Sequence, residues 1–220
     1  MKPTISKNVQ KFKKTKSPVR EIMDLANPQF FKQVGLDPKD VISFSGGWVN
    51  HEAPEELRDA YAGIIHNSER FHASGAYPPT LGMPECRKAI VDFEKHLYGQ
   101  EMPLSVENIA IGCNSSQMTS NLMQIVLDPG DKLCLLDPSY SNYPSQTIAL
   151  DCVEIVRFQV LDTENWQYVA NERIDDFVKF LRAEKPKMLL LCAPDNPTSK
   201  VLSDAFMKAA LETMTEINGF

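Results

Sequence analysis

The spacing of apolar residues along the chain changes near residue 107. Before that point, residues 83–98 have a helical period, and the apolar positions are Met83, Cys86, Ile90, Phe93 and Leu97. After it, short apolar runs alternate with helical patterns. The runs predict strands over residues 108–111, 132–136, 152–158 and 187–192. This alternation predicts an α/β fold, with a parallel sheet covered by helices on both faces.

Helical patterns occupy the intervals between the predicted strands. They predict helices over residues 115–127, 140–150 and 174–181. A last helix has its predicted inward face at Met207, Ala210, Leu211 and Met214. Upstream, the same reasoning predicts a short strand over residues 41–44 and helices over residues 17–26 and 54–68.

Composition and charge exclude several classes of function. The chain has 220 residues, 43% of them apolar and 24% charged, which is typical of a globular protein that needs no metal or disulfide to build its core. The net charge of −6 argues against a nucleic-acid-binding surface. The apolar runs are far shorter than the roughly 20 residues of a membrane helix. We therefore expect neither a nucleic-acid nor a membrane partner.

The cysteine spacing indicates a cellular compartment, and the basic residues near the start indicate the state of the N-terminal segment. The cysteines are widely separated and have no zinc-ligand spacing: Cys86, Cys113, Cys134, Cys152 and Cys192. We predict buried thiols, no metal site and a reducing, cytoplasmic location. The first twenty residues include seven Lys or Arg and no acid, which predicts a solvated, flexible basic arm over residues 1–16.

Three polar loops follow predicted strands, at the sheet edge where α/β proteins bind ligands. The loop with Ser115 and Ser116 offers hydroxyls and helix N–H groups to a phosphate, although a plain helix cap also explains it. Tyr140 and Tyr143 can stack on a flat ring or pack a turn. Asn196 precedes a proline, so its amide projects from the strand end, but Asn-Pro is also an ordinary turn.

Several motifs of other α/β enzymes do not occur in the sequence. There is no Gly-x-x-x-x-Gly-Lys, no Gly-x-Gly-x-x-Gly and no Gly-x-Ser-x-Gly. Their absence disfavours P-loop NTPases, dinucleotide dehydrogenases and α/β-hydrolases.

Eight short motifs, read in order, indicate a family. They lie at residues 17–23, 42–47, 53–57, 77–90, 109–117, 127–131, 138–143 and 196–198. This order resembles the class I/II aminotransferases, which are pyridoxal 5′-phosphate (PLP) enzymes of fold type I. The resemblance implies a three-layer αβα fold with a mostly parallel sheet, incomplete in this chain. Residues 17–52 would contribute to the small domain, and residues 53–220 would form the first part of the PLP-binding large domain.

The resemblance also implies roles for the polar loops. Asn114, Ser115 and Ser116 would hold the cofactor phosphate. Tyr140 would stack on the pyridine ring, and Asn196 would hydrogen-bond the 3′ oxygen of that ring.

Two further residues match family positions outside these loops. Tyr77 would reach the phosphate of the neighbouring subunit in a homodimer, and Gly47 would lie near the substrate carboxylate. The chain departs from the family twice, since Asn114 and Ser199 stand where the family has Gly. Asn tolerates a positive φ, and the second change affects only a turn.

The resemblance implies an enzyme that transfers an amino group between an amino acid and a 2-oxo acid. The family's Schiff-base lysine and pyridinium Asp are expected beyond residue 220, so we expect this chain to be an N-terminal portion that is inactive alone. Lys200 follows the Asn-Pro-Thr strand directly and is rejected as the catalytic lysine.

The sequence leaves three alternatives open. A lyase or cyclase of the same family, similar to aminocyclopropane-carboxylate synthase, would share the same cofactor-binding residues. The chain could also be a non-catalytic fragment that acts as a binding module, or an unrelated α/β nucleotide-binding module.

Overall fold

The computed structural model describes residues 4, 5, 7, 10, 27–42, 44, 51–147, 150 and 153–220. The helix predicted over residues 17–26, most of the basic arm, Gly47 and Cys152 lie outside these residues. The chain divides into two units. The first is Met1–Ser45 with Ser116–Phe220, and the second is Gly46–Ser115.

Helices and strands are numbered in chain order within the described residues. The helices are α1 (Pro28–Gln33), α2 (Glu55–Ile65), α3 (Ser68–Ser74), α4 (Pro84–Tyr98), α5 (Ser115–Val126), α6 (Asn142–Gln146), α7 (Ile174–Glu184) and α8 (Asp204–Glu216). The strands are β1 (Lys132–Asp137), β2 (Glu154–Gln159), β3 (Leu161–Asp162), β4 (Gln167–Tyr168) and β5 (Met188–Leu190). Short 3₁₀ turns lie at Pro38–Asp40, Val106–Asn108 and Asn171–Arg173.

The first unit contains a parallel sheet with β1 between β2 and β5. Leu133 is paired with Ile155 on one side and with Met188 on the other. Three of the four strands predicted for this sheet are confirmed. β3 and β4 form a separate antiparallel hairpin directly after β2.

The prediction of a strand over residues 108–111 is wrong. The segment begins in a 3₁₀ turn, and its backbone is extended at Ile109 without joining a described sheet. The Ile111 N–H donates to the Leu81 carbonyl at 3.0 Å. No ladder of strand pairing follows among the described residues, and a strand needs such a ladder. Over residues 41–44 the described positions likewise contain no strand.

Side chains of β1 alternate between two apolar cores, because successive residues of a strand point to opposite faces. Leu133 and Leu135 pack with Met123 and Val126 of α5. Cys134 and Leu136 pack in the core that includes buried residues of α7 and α8, such as Phe177, Phe206 and Ala210. The sheet therefore has helices on both faces, which confirms the predicted three-layer arrangement.

The inward face predicted for the last helix is partly wrong. Ala210 and Met214 are buried, but Met207 and Leu211 are exposed. Phe206 and Thr213 occupy the buried positions instead. Thr213 can do so because its hydroxyl donates to the Ala209 carbonyl at 2.7 Å, which satisfies its polar atom inside the core.

The second unit buries little apolar surface. Helices α2 and α3 have no buried residue, and α4 buries Arg87 and Val91. The bounds predicted for α4 are confirmed, but most of its apolar stripe, including Phe93 and Leu97, is exposed. A unit of this size has too little volume to cover every apolar face. The prediction of buried thiols is wrong for two cysteines, Cys86 and Cys113, which are exposed.

The edge of β5 that faces away from β1 forms backbone hydrogen bonds with one residue, Phe220. The Phe220 N–H donates to the Lys187 carbonyl at 2.9 Å, and the Leu189 N–H donates to the Phe220 carbonyl at 2.8 Å. This is the hydrogen-bond pattern of a parallel pair.

Among the described helices, none is both long and apolar enough to cross a membrane.

The predicted and the observed inward faces of α8 lead to different mutational effects. Phe206 is 0% exposed and its ring stacks on Phe177 at 4.6 Å, whereas Leu211 is 70% exposed. We expect Phe206→Ala to lower the free energy of unfolding by about 3–5 kcal/mol through the cavity it leaves. Leu211→Ala should change it by less than about 0.5 kcal/mol. Denaturant unfolding of both variants measures this, and similar losses would contradict the observed orientation of α8.

Candidate functional site

The carboxyl ends of β1 and β5 lie at the same edge of the sheet, because the two strands are parallel neighbours. The loop after β1 contains Tyr140 and leads into α6. The loop after β5 contains Asn196. The predicted ring-binding residues therefore follow adjacent strands, as the sequence implies.

Helix α5 begins with two serines, Ser115 and Ser116. No acidic residue lies in its first turn, so the positive end of the helix dipole is not offset there by a carboxylate. Ser116 is half-buried, and Ser115 and the preceding Asn114 are exposed. The residue types and the helix end suit a phosphate.

Tyr140 is half-buried, and two neighbours fix its ring. The Asn142 side-chain amide donates to the Tyr140 hydroxyl at 2.8 Å. The ring of Tyr143 meets the ring of Tyr140 edge-on, with centroids 5.3 Å apart and planes at 80°. This edge-to-face contact is a favourable arrangement for two aromatic rings.

Tyr143 connects the loop after β1 to the loop after β5. Its hydroxyl lies beside the Cys192 thiol. Burial raises the pKa of Tyr143 to about 12, and the neighbouring Cys192 thiol and Asp195 carboxylate add to this effect. Tyr143 is therefore neutral across the physiological range and acts as a packed, hydrogen-bonding group.

The loop after β5 is organised around Asp195. Its carboxylate is buried and accepts from the Thr198 hydroxyl at 2.5 Å and from the Thr198 N–H at 3.2 Å. The Asp195 N–H donates a hydrogen bond to the Lys200 carbonyl, and the Asp195 carbonyl accepts one from the Ser199 N–H. These contacts hold Asn196 at the exposed tip of a tight loop, where its amide is accessible to a ligand.

Backbone conformation explains one departure from the family pattern and not the other. Ser199 has φ +59, which is the left-handed conformation that glycine adopts most easily. Asn114 is not among the described residues with a positive φ, so tolerance of that conformation is not what makes Asn acceptable there.

The other predicted site residues are not brought to this edge by the described contacts. Tyr77 lies in the second unit, where its side chain is fully exposed. Gly47 lies outside the described residues. Lys200 lines a separate cavity with Trp166 and Tyr168. Within the described residues, no cluster of His, Cys, Asp or Glu could hold a metal ion.

Sequence reasoning missed two contacts of this site. The Gln146 side-chain amide donates to the Ser116 carbonyl at 3.2 Å, and Cys192 lies beside Tyr143. These pairs are 30 and 49 residues apart in sequence, so no local pattern reveals them. Asp195, next to the predicted Asn196, was also missed, although its Asp-x-x-Thr spacing is typical of a side chain that closes its own turn.

The residues present fit pyridoxal 5′-phosphate in chemical type. Ser116 stands at the positive end of α5, where no first-turn acid opposes an anion. Tyr140 offers an aromatic ring held by its neighbours, and Asn196 offers an exposed amide. An anion site, an aromatic surface and a hydrogen-bonding amide are the groups that a phosphorylated heteroaromatic ring requires.

Solved structures of aminotransferases have the same fold as this chain. The aspartate aminotransferase from Thermus thermophilus with maleate superposes with a TM-score of 0.79 at 20% identity, over 100% of this chain and 52% of that one. An alanine aminotransferase from Pyrococcus furiosus gives a TM-score of 0.77 at 22% identity, over 98% of this chain and 50% of that one. At these identities the likeness establishes the fold.

Sequence comparison establishes the family. The model for aminotransferase class I and II matches residues 39–220. The chain belongs to this PLP-dependent family, and the expected fold class is confirmed.

Curated relatives are similar over most of this chain. Histidinol-phosphate aminotransferase 2 of Archaeoglobus fulgidus is 26% identical over 200 residues, which are 89% of this chain and 50% of the relative. Aspartate aminotransferase of Pyrococcus horikoshii is 24% identical over 203 residues, 92% of this chain and 46% of the relative. The chain spans about half the length of these relatives.

The left-handed residue in the Asn196 loop gives a testable effect on stability. We expect Ser199→Gly to raise the free energy of unfolding by about 0.5–1 kcal/mol. Serine pays a steric penalty at φ +59, and relief of this penalty outweighs the larger conformational entropy that glycine loses on folding. Denaturant unfolding measures the change.

Ser203→Gly is the matched control, since it makes the same substitution at φ −69. Ser203 caps α8, with its hydroxyl accepting from the Phe206 N–H at 3.2 Å, so its replacement should reduce stability. Equal losses in the two variants would contradict the strained turn.

Proposed function

We propose that this chain supplies the phosphate- and ring-binding part of a PLP-dependent aminotransferase, which transfers an amino group between an amino acid and a 2-oxo acid. The observation that carries the proposal is the arrangement around α6. Its residues contact Ser116, Tyr140 and Cys192, which belong to the three segments where the family places its cofactor-binding groups. Membership of the family supports the same assignment.

Each group in the proposed site has a distinct task. Asn114, Ser115 and Ser116 bind the phosphate with hydroxyls and backbone N–H groups at the start of α5. Tyr140 stacks on the ring, and Asn196 donates to its 3′ oxygen. When bound, the cofactor supplies an electron-withdrawing ring that stabilises the negative charge left when the substrate loses its α-proton.

The remaining assignments concern the assembled enzyme. We propose a cytoplasmic homodimer in which Tyr77 reaches the phosphate site of the neighbouring subunit. Its fully exposed side chain is compatible with that role. We also propose that the backbone of Gly47 lies near the substrate carboxylate.

Amino-group transfer is favoured over elimination or cyclisation, because the relatives reported above are aminotransferases. We do not assign the Schiff-base lysine to Lys200. Its side chain lines the cavity beside Trp166 and Tyr168, and the described contacts of α6 do not include it. A proton-transferring lysine must instead lie within hydrogen-bond reach of the reacting carbon's proton.

Calorimetric titration with pyridoxal 5′-phosphate and with inorganic phosphate tests the proposed site. We expect the chain to bind both, with inorganic phosphate as a competitor. Ser116→Ala should weaken both ligands, about tenfold or more, because a hydrogen bond to a charged group is lost. Tyr140→Ala should weaken pyridoxal 5′-phosphate by about tenfold and leave inorganic phosphate unchanged, because only the ring contact is lost.

Ser74→Ala is the control, since Ser74 lies in α3 of the second unit and its hydroxyl donates to the Phe71 carbonyl. It should bind both ligands as the unmodified chain does. Borohydride treatment of the PLP-loaded chain should leave no specific lysine adduct. Failure of the unmodified chain to bind either ligand would contradict the proposed function, and an adduct at Lys200 would overturn its exclusion.

A further inference from the structure

Helix α6 has five residues and begins two residues after Tyr140. Three of those residues lie against other parts of the candidate site, namely the loop before α6, the loop after β5 and the start of α5. Asn142 and Tyr143 contact Tyr140, and Gln146 contacts Ser116. The hydroxyl of Tyr143 also lies beside the Cys192 thiol. α6 therefore lies among all three candidate cofactor-binding segments of the first unit.

Tyr143 is fixed on several sides. Its N–H donates to the Tyr140 carbonyl at 3.1 Å, and its ring contacts the Tyr140 ring edge-on. Its side chain is partly buried and packs against the apolar core that contains Leu133 and Met188. The Cys192 thiol lies beside its hydroxyl. A ring held in this way restricts the orientation of Tyr140 relative to the end of β5.

Gln146 fixes a different segment. Its Nε2 donates to the carbonyl of Ser116, the second residue of α5, at 3.2 Å. Its Oε1 is buried and has no hydrogen-bond partner among the residues that the structure describes. A buried acceptor without a donor reduces stability, so packing alone gives no reason for an amide at this position. The side-chain hydrogen bond that the described residues give it is to the helix start proposed to bind phosphate.

We propose that Tyr143 and Gln146 are positioning residues, which hold the ring-binding and phosphate-binding segments in the arrangement that pyridoxal 5′-phosphate requires. Tyr143 orients Tyr140, and Gln146 holds the first turn of α5 against α6. This inference rests on the proposed function. Neither residue touches the cofactor; each acts through its neighbour, and the two act on different parts of the same ligand.

Separate probes distinguish the two roles. Inorganic phosphate reports on the α5 start alone, and pyridoxal 5′-phosphate reports on both parts. Calorimetry gives the dissociation constants, and the induced circular dichroism of bound pyridoxal 5′-phosphate reports on the orientation of its ring. Neither measurement depends on catalytic activity.

Tyr143→Leu keeps an apolar side chain in the core but removes the ring and the hydroxyl. We expect it to weaken pyridoxal 5′-phosphate about tenfold, to reduce the induced circular dichroism and to leave phosphate affinity within about twofold. Tyr143→Phe keeps the edge-on ring, so it should bind within about threefold of the unmodified chain. This rescue separates orientation of Tyr140 from general loss of folding.

Gln146→Met removes the amide at similar volume. We expect it to weaken both ligands by about the same factor, near tenfold, because the shared phosphate site is displaced. Ser145→Ala is the control on the same helix, since the Ser145 hydroxyl donates to the Asn142 carbonyl and Ser145 has no described contact with the three segments. It should leave both affinities unchanged.

The outcomes separate this inference from the proposed function. An unmodified chain that binds neither ligand would contradict the proposed function itself. An unmodified chain that binds both, together with Tyr143→Leu and Gln146→Met variants that bind equally well, would overturn the positioning roles alone. Equal loss of both ligands in Tyr143→Leu would also overturn the role of Tyr143, because it would show displacement of the phosphate site.

Discussion

Parallel pairing of β1 with β2 and β5 is the constraint on which the rest of the first unit depends. β1 lies in the centre, and its residues Leu133 to Leu136 are buried. Because alternate residues point to opposite faces, this one strand contributes to both apolar cores. Parallel pairing also places the carboxyl ends of β1 and β5 at one edge, so the loops that begin there become neighbours.

The site is built from that edge outward. The loop after β1 carries Tyr140, the loop after β5 carries Asn196, and α6 contacts the first loop and the start of α5. The second loop lies next to α6, where the Cys192 thiol is beside the Tyr143 hydroxyl. Strand order therefore provides the coarse placement of the candidate residues, and side-chain contacts of one short helix provide the finer arrangement.

The sequence predicts the parts of this structure that local patterns encode. The helical period of residues 83–98 identifies α4, and the apolar run at residues 132–136 identifies β1. Tyr140 and Asn196 could be selected because each lies in a polar loop after a strand, and Ser116 because it lies at the start of a helix.

The errors have identifiable physical causes. The buried face of α8 is predicted incorrectly because it includes a polar residue, Thr213. Its hydroxyl donates to the Ala209 carbonyl, so its burial leaves no unsatisfied polar atom. The strand at residues 108–111 fails because extended backbone alone does not supply a pairing partner. Tyr143 with Cys192, and Gln146 with Ser116, are contacts across long stretches of chain, so only the folded structure brings them together.

The most direct test of the central claim is a crystal structure of the chain grown with pyridoxal 5′-phosphate. We predict that the phosphate lies at the first turn of α5, against Ser115 and Ser116, with the pyridine ring stacked on Tyr140 and its 3′ oxygen facing Asn196. Binding of the ring elsewhere, for example in the cavity beside Trp166 and Lys200, would contradict the claim that this sheet edge is the cofactor site.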